Sequence, residues 1–378
     1  MQKIGVLGGM FDPIHLGHLH VARCALDFGL DKVLFAPCQS PVHRESAKAD
    51  ARHRLEMCRI AAKADARMEA SDIDLREGPC YTAETVRLLQ KRYPDAQFFW
   101  ILGADKLPSL THWREAEDLF SRCEFLVCPR PGYDASYPVP GAKLHVLPVS
   151  SCEASSGEVQ KLLQRYDDAL RLLPADISRY IAENGLYQRD FVPDLMHYGM
   201  QEKRLSHTLG VRQTAVHLSQ LHGARMQAAS VAAMLHDIAK PLPLDEMQAL
   251  AQKYALQLPD DILSDSNLLH GPVAAAIAEH ELGIADAEIL SAISCHTTGK
   301  ENMTALEMCV FLSDAIEPTR RDYPGLNDMR ALSQSDLSGA VLLSMQRTQE
   351  YVLSRGLHFC SRTEKAMQDI IFRRLKHE

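Results

Sequence analysis

Two hydrophobic periodicities divide this chain, and no single architecture satisfies both. Up to Val192, short β-branched or aromatic runs alternate with amphipathic stretches, at residues 3–9, 16–28, 32–37, 51–64, 82–92, 97–103, 114–122 and 124–128. That alternation is the pattern of βαβ units around a parallel sheet. Beyond it the pattern becomes helix after helix, at 202–222, 228–240, 245–254, 272–281, 287–295, 305–316 and 338–355. The expected fold class is therefore α/β followed by all-α, with domains over residues 1–192 and 193–378. Residues 174–186 read as a helix closing the first domain, and 187–194, with Pro193, as the linker. A length of 378 residues suits two cores of this size.

Charge narrows the class of partner. The first part carries 24 basic and 26 acidic residues and the second 17 and 23, for a net −8. A chain without a basic excess lacks the broad footprint of a nucleic-acid binder, so no nucleic-acid partner is expected. No apolar run approaches the ~20 residues a membrane helix needs, so no membrane association is expected either. Ten scattered cysteines without a C-x-x-C pair, and no apolar leader after Met1, predict a cytoplasmic protein with free thiols. The sequence is compatible with a homo-oligomer.

The first chemical signal follows the first strand: Gly8-Gly9-Met10-Phe11-Asp12-Pro13-Ile14-His15-Leu16-Gly17-His18. Paired glycines let backbone approach a ligand closely, and the N-terminus of the following helix favours phosphate. His15 and His18 are three residues apart, close to one turn, so both imidazoles can face one ligand oxygen. A lone Gly-Gly is weak evidence; the whole string at a strand end is not.

This string resembles the nucleotidyltransferase signature, and the first half is similar to bacterial nicotinate-nucleotide adenylyltransferase over about 185 residues. Pro41-Val42-His43-Arg44 stands where that family has Pro-x-His-Lys, with Arg keeping the charge but not the geometry of Lys. Tyr81-Thr82-Ala83-Glu84-Thr85, Gly103-Ala104-Asp105, Trp113 and Arg130-Pro131-Gly132 match further family segments in order. The resemblance implies a Rossmann-like parallel sheet and transfer of AMP from ATP to nicotinate mononucleotide. It puts His15 and His18 on the ATP phosphates and the transition state, by positioning and charge stabilisation. It gives substrate contacts to Gly8, Gly9, Phe11, Asp12, His43, Arg44, Thr82, Thr85, Gly103, Asp105, Trp113, Arg130, Ser155 and Ser156. Mg²⁺ would accompany ATP, taking most ligands from phosphate and water.

The departures lie on one side of this site. Where the family has Ile-Ser-Ser-Thr-x-Ile-Arg, this chain has Ala154-Ser155-Ser156-Gly157-Glu158-Val159-Gln160, and Met10 replaces a common hydroxyl residue. Loss of a charged phosphate donor costs on the order of 2 kcal/mol in a desolvated site. The expectation is a transferase with a weakened grip on the ATP tail, or a degenerate nucleotide-binding module that regulates the second half.

Ten of the 17 histidines lie after residue 192. The specific signal is His207, then His236-Asp237 in Ala233–Lys240, then Asp314. An adjacent His-Asp inside an apolar helix is costly to bury unless it binds something, and a metal removes the cost. Imidazole and carboxylate without thiolate suit iron, manganese or another divalent ion rather than structural zinc. His270 and His296 are open to two roles, a second metal or a phosphate.

In order, these residues resemble the HD phosphohydrolases, with His207, His236, Asp237 and Asp314 as ligands and Asp237 also catalytic. Arg204, the Asp237–Lys240 continuation, His296-Thr297-Thr298-Gly299 and residues 313–320 are similar to the bacterial symmetrical diadenosine tetraphosphate hydrolases. The resemblance implies an HD-type helical domain that cleaves that dinucleotide to two ADP with iron or Mn²⁺. Arg204, Lys240, His270, His296, Thr297 and Arg320 would then contact the polyphosphate. Other substrates within these families, phosphopantetheine for the first half and a monophosphate or cyclic nucleotide for the second, are the competing expectations.

Overall fold

The computed structural model describes residues 1–39, 47–76, 78–149 and 154–376. Contacts divide it into two compact units, Met1–Leu163 with Ala169–Tyr180, and Gln164–Asp168 with Ile181–Glu378.

The first unit is a parallel sheet built from β1 (Gln2–Gly9), β2 (Lys32–Pro37), β3 (Met68–Ala70), β4 (Ala96–Gly103), β5 (Cys123–Cys128) and β6 (Leu144–Val146), in the order β3-β2-β1-β4-β5-β6. Helices α1 (Leu16–Asp27), α2 (Ala51–Ala62), α3 (Thr82–Arg92), α4 (Ala116–Arg122) and α5 (Ser156–Leu163) connect or follow the strands, and a 3₁₀ segment covers Ala104–His112. α6 (Ala175–Asn184) begins here and ends in the second unit. The central strands are apolar and buried through their middles, as a sheet covered on both faces requires: Ile4, Val6, Leu34, Phe98, Phe125 and Val127 are all buried. From β1 the chain winds out to β3 and then returns to β4 on β1's other side, so the carboxyl ends of β1 and β4 flank a topological switch point. Ligands of open α/β sheets bind there. Strands β3 and β6, three residues each, are too short to show a period in sequence.

One core carboxylate in this unit gives a pH-dependent term. Asp74 is buried, its Oδ1 accepts the Thr85 hydroxyl at 2.6 Å, and burial pushes its pKa up to about 6. The folded state thus keeps a proton that the unfolded chain loses near pH 3.9. This contribution is fully present below that pH and is lost as pH rises through about 6, at a cost on the order of 3 kcal/mol at pH 7. Asp74→Asn, which retains an acceptor for Thr85, should raise the calorimetric melting temperature of this unit by several degrees at pH 7.5 and change it little at pH 4.

The second unit is helical: α7 (Val192–His197), α8 (Glu202–His222), α9 (Met226–Leu235), α10 (Leu244–Lys253), α11 (Asp260–Leu263), α12 (Ser266–His280), α13 (Ala287–Cys295), α14 (Ala305–Ile316), α15 (Leu326–Leu332), α16 (Leu337–Ser354) and α17 (Ser361–Leu375). Its main core is made of Ala, Val, Ile and Leu from α8, α9, α12, α13 and α14. Side-chain caps set several boundaries: Asp286 accepts from Glu288 and Ile289, and Thr304 with Glu307 forms a reciprocal capping box at the start of α14. No helix among the described residues is long and apolar enough to cross a membrane.

Three expectations change. The helix expected over 228–240 stops at Leu235, so His236-Asp237 lies in the turn beyond it rather than inside a helix. His236 itself stops it: its Nδ1 takes the Ala233 carbonyl at 2.6 Å, and Ile238 N–H turns back to Leu235. The helix expected from Pro272 begins six residues earlier, because Asp265 caps it through Asn267 N–H, so His270 is helical. Residues 187–194 are not a loose linker: Phe191 is in the main core, Gln188 bonds Gln227 at 2.6 Å, and Arg189 pairs with Asp194 at 2.8 Å. Residues 181–192, assigned to the first domain from sequence, make their contacts in the second unit.

Candidate functional site

At the switch point of the sheet, β1 ends in Gly8-Gly9, with Gly9 in register with Pro37 of β2 and its carbonyl accepting the Cys38 N–H at 3.0 Å. Space decides the glycines. A Cβ on Gly8 would lie 2.6 Å from the Trp100 ring, and one on Gly103 would strike Asp105 Oδ1 and come within 2.8 Å of Arg130 Nε. Gly103 therefore makes room for the Asp105–Arg130 ion pair, 3.5 Å long, at the end of β4.

His15 and His18 stand at the head of α1 with ring centroids 3.8 Å apart, and the His15 N–H donates to His18 Nδ1 at 3.2 Å. His15 Nδ1 is buried with no hydrogen-bond partner. Burial, reinforced by the Arg130 cation, lowers the His15 pKa to about 4; burial with His15 and Arg130 holds His18 well below its ordinary value. Both are thus neutral at pH 7.

Several residues expected to touch substrate shape the loop. The Phe11 ring is buried edge-on against His18 and Phe35. The Asp12 carboxylate accepts the N–H groups of Lys48 and Ala49. Thr85 is buried and commits its hydroxyl to Asp74, so it is spent on the core. Thr82 opens α3, and Trp113 is partly buried against the sheet core. Ser155 accepts from Glu158 N–H at the head of α5, while Ser156 Oγ bonds Pro13 O at 3.0 Å and Gln160 Nε2 bonds Asp12 O at 2.6 Å. The altered segment therefore still docks on the phosphate loop, through neutral groups. His43 and Arg44 lie outside the described residues.

Arg54 carries no motif, yet it shapes this site. Only 1% exposed, it donates to the carbonyls of Met10, Cys38, Ala49 and Gln39, at 2.7, 2.8, 3.1 and 3.4 Å, and so fixes the loop beside Gly9. A buried guanidinium needs such a set of acceptors. Nothing in the local pattern of α2 marks it.

In the helical unit, His207 (α8), His236-Asp237 (after α9), His270 (α12), His296 (after α13) and Asp314 (α14) converge. The ligand atoms of His207, His236 and Asp314 lie within 4.8 Å of one another, as do those of His236, Asp237 and His296. His236 and His296 are oriented alike, each Nδ1 bonded to the carbonyl three residues back, at 2.6 and 2.7 Å. That bond protonates Nδ1 and presents the Nε2 lone pair inward. His207 Nδ1 is held by Glu317 at 3.0 Å, and Gly210, one turn on, leaves the space: a Cβ there would come within 2.7 Å of Glu317 Oε2. Glu317 was not foreseen as an orienting partner; its position three residues after Asp314 is the one signal it offered.

His207 Nε2 and His236 Nε2 are buried without hydrogen-bond partners, although His207 Nε2 is 3.0 Å from Asp314 Oδ1. Lone pairs facing a carboxylate with no proton between them are what a cation resolves, so these residues fit a divalent metal. Asp237 faces both ways. Its Oδ2 is 3.4 Å from His236 Nε2 and 3.9 Å from His207 Nε2, while Oδ1 is 3.2 Å from His270 Nε2 and 3.9 Å from His296 Nε2. Burial opposes the charges of His236, Asp237 and Asp314, yet their mutual attraction wins: His236 is raised, and both carboxyls sit far below the usual range. Burial, with His270 and His236 beside it, lowers His296 to about 3.

Arg204 pairs with Asp237, and Arg320 with Asp314. Lys240 bonds Asn267 Oδ1 at 3.1 Å and lies 3.4 Å from His270 Nδ1. Thr297 Oγ1 is buried without a partner. A cleft of about 1340 Å³ opens beside His207, Arg204 and Arg320.

Residues 6–166 match the family model described as cytidylyltransferase-like, and residues 204–319 match that of the HD domain. Over 93% of its length the chain is 28% identical to a Mycoplasma genitalium protein named "Probable nicotinate-nucleotide adenylyltransferase/Ap4A hydrolase", of which it covers 99%. Half of the chain is 37% identical to the nicotinate-nucleotide adenylyltransferase of Bacillus subtilis, covering all of it. A crystal structure described as a predicted HD superfamily hydrolase involved in NAD metabolism, from Clostridium acetobutylicum, is 34% identical over 48% of this chain and 95% of that one, with a TM-score of 0.46. The chain thus belongs, through its first half, to the nicotinate-nucleotide adenylyltransferase family, and it joins to that half an HD domain.

Proposed function

We propose that the protein is a bifunctional nucleotide enzyme of a reducing cytoplasm, which the free thiols of all nine described cysteines suit. The first site transfers AMP from ATP to nicotinate mononucleotide. An acceptor phosphate oxygen attacks the α-phosphorus, a P–O–P bond forms, and pyrophosphate leaves with its Mg²⁺, giving deamido-NAD. The observation that carries this reading is the His15–His18 pair at a helix head on the sheet's switch point, with His15 Nδ1 unpartnered. These imidazoles donate to the phosphates as negative charge shifts to the leaving group. Arg130 and Asp105 position the nucleotide, and Trp113 offers a face to the acceptor's ring. With Gln160 in place of an arginine, the ATP tail is held by neutral donors, and a high KM for ATP follows.

The second site hydrolyses diadenosine tetraphosphate at its central bridge, one water giving two ADP. His207, His236, Asp237 and Asp314 would hold a divalent cation, iron or Mn²⁺, and Asp237, with one oxygen toward each set of histidines, would with His270 and His296 suit a second. Such cations supply Lewis acidity and a nucleophilic water at neutral pH. Arg204 and Arg320, which pair with Asp237 and Asp314, would supply positive charge to the polyphosphate.

Both readings are tested on the purified full chain. Pyrophosphate should appear with ATP plus nicotinate mononucleotide; no turnover at millimolar ATP would leave the first half a nucleotide-binding module. Diadenosine tetraphosphate with Mn²⁺ or ferrous iron should yield ADP alone, and ATP plus AMP would overturn the symmetrical assignment.

A further inference from the structure

The cleft beside the metal-ligand cluster continues well past it, to α16. At about 1340 Å³ it exceeds the ~300–1,000 Å³ of ordinary small-ligand sites, so it has room for more than one nucleotide. Its charge is also selective. Residues 193–378 are acidic overall, yet the cleft wall sets Lys203, Arg204, Arg320, Arg321 and Arg347 against only Glu317, Asp322 and Glu350, a cationic excess. Clustered cations in a concave wall focus the field on an anion. Arg204 and Arg320 serve the metal end; the other end holds Arg347 and Tyr351, one turn apart on α16, with Tyr323 across from the α14 end. Tyr351 is 60% exposed, and the Arg355 guanidinium lies 5.4 Å over its ring. The Tyr323 hydroxyl donates to Ala315 O at 2.8 Å, which fixes that ring in the cleft wall. No motif of the sequence pointed to these three residues.

We infer that Arg347, Tyr351 and Tyr323 form a second nucleotide subsite, which takes the nucleoside diphosphate half of the substrate farther from the metal ligands. Arg347 meets its phosphate or ribose, and the tyrosine rings offer stacking faces to its purine. Exchange of the Arg347–Glu350 ion pair, 2.8 Å and solvent-exposed, for a phosphate contact costs little. Symmetrical cleavage needs such a register: with both ends of a dinucleotide gripped, the central bridge is the one brought to the metals. This rests on the proposed dinucleoside polyphosphate hydrolysis.

The test uses the metal-loaded full chain with Arg347→Ala and Tyr351→Ala, both on the exposed side of α16. Each should raise the KM for diadenosine tetraphosphate about tenfold with kcat within about twofold. Calorimetric titration should show one ADP fewer per chain than in the wild type. Pyrophosphate, which carries no nucleoside, should inhibit the variants as it inhibits the wild type. An unchanged KM would overturn the subsite, as would an equal loss against pyrophosphate. Wild-type enzyme that fails to make ADP from the dinucleotide would instead overturn the hydrolase reading, a separate result.

Discussion

Asp237→Ala is expected to remove hydrolysis of diadenosine tetraphosphate, by about a thousandfold or more in kcat, and to lower bound metal well below the wild-type stoichiometry while pyrophosphate release by the other half persists. The size follows from position. Asp237 is the only one of these carboxylates with an oxygen within 4 Å of histidines on both sides of the cluster, so both sets lose a ligand at once. Arg204 also loses its partner, which leaves a cation beside the remaining imidazoles and opposes metal binding directly. His236→Ala should lose activity to a similar degree, because its buried Nε2 lies within 4.8 Å of the ligand atoms of His207 and Asp314 on one side and of those of Asp237 and His296 on the other. Activity assays with elemental analysis of the purified variants check this. Full activity and full metal in Asp237→Ala would mean that the centre lies elsewhere, and an unchanged thermal transition separates ligand loss from unfolding.

His15→Ala should reduce kcat of adenylyl transfer by roughly a hundredfold to a thousandfold, the usual cost of removing one donor to developing charge, and leave hydrolysis by the HD domain untouched. A pH signature accompanies it. In the free protein burial and Arg130 lower the His15 pKa to about 4, whereas a bound polyphosphate favours the charged imidazole and raises it. Binding therefore takes up a proton, and ATP affinity should strengthen as pH falls from 8 toward 5.5. His15→Asn, which cannot ionise, should flatten that dependence apart from the titration of ATP itself. Titration of ATP across this range in both proteins is the measurement; identical slopes would place the proton uptake on another group.

The features legible in sequence are those whose chemistry is written within a few residues. Gly8-Gly9 at a strand end and His15/His18 at a helix head are local, and the structure holds them as a strand-turn-helix. Helices α3, α8, α13 and α14 begin and end where the pattern put them, and at α13 and α14 side-chain caps agree with it. The extent of α9 was not legible, since an imidazole bond to a carbonyl three residues back ends a helix that propensity would have continued. Pro272 misled in the opposite sense: a buried helix already capped by Asp265 runs through it. The Thr85 hydroxyl looks the same in a string whether it faces a ligand or, as here, a buried carboxylate.

Sequence alone determined the division into a parallel α/β half and a helical half, the phosphate-loop chemistry of the first, and the imidazole–carboxylate donor set of the second. Periodicity and donor type are properties of the residues themselves, so no coordinates were needed. Only the tertiary structure decided that Asp237 stands between two sets of histidines, that Glu317 orients His207, that Arg54 clamps the loop beside Gly9, and that the hydrolase cleft extends to α16. Each of these joins residues tens or more positions apart, and such distances are set by how helices and strands pack, which no local pattern records.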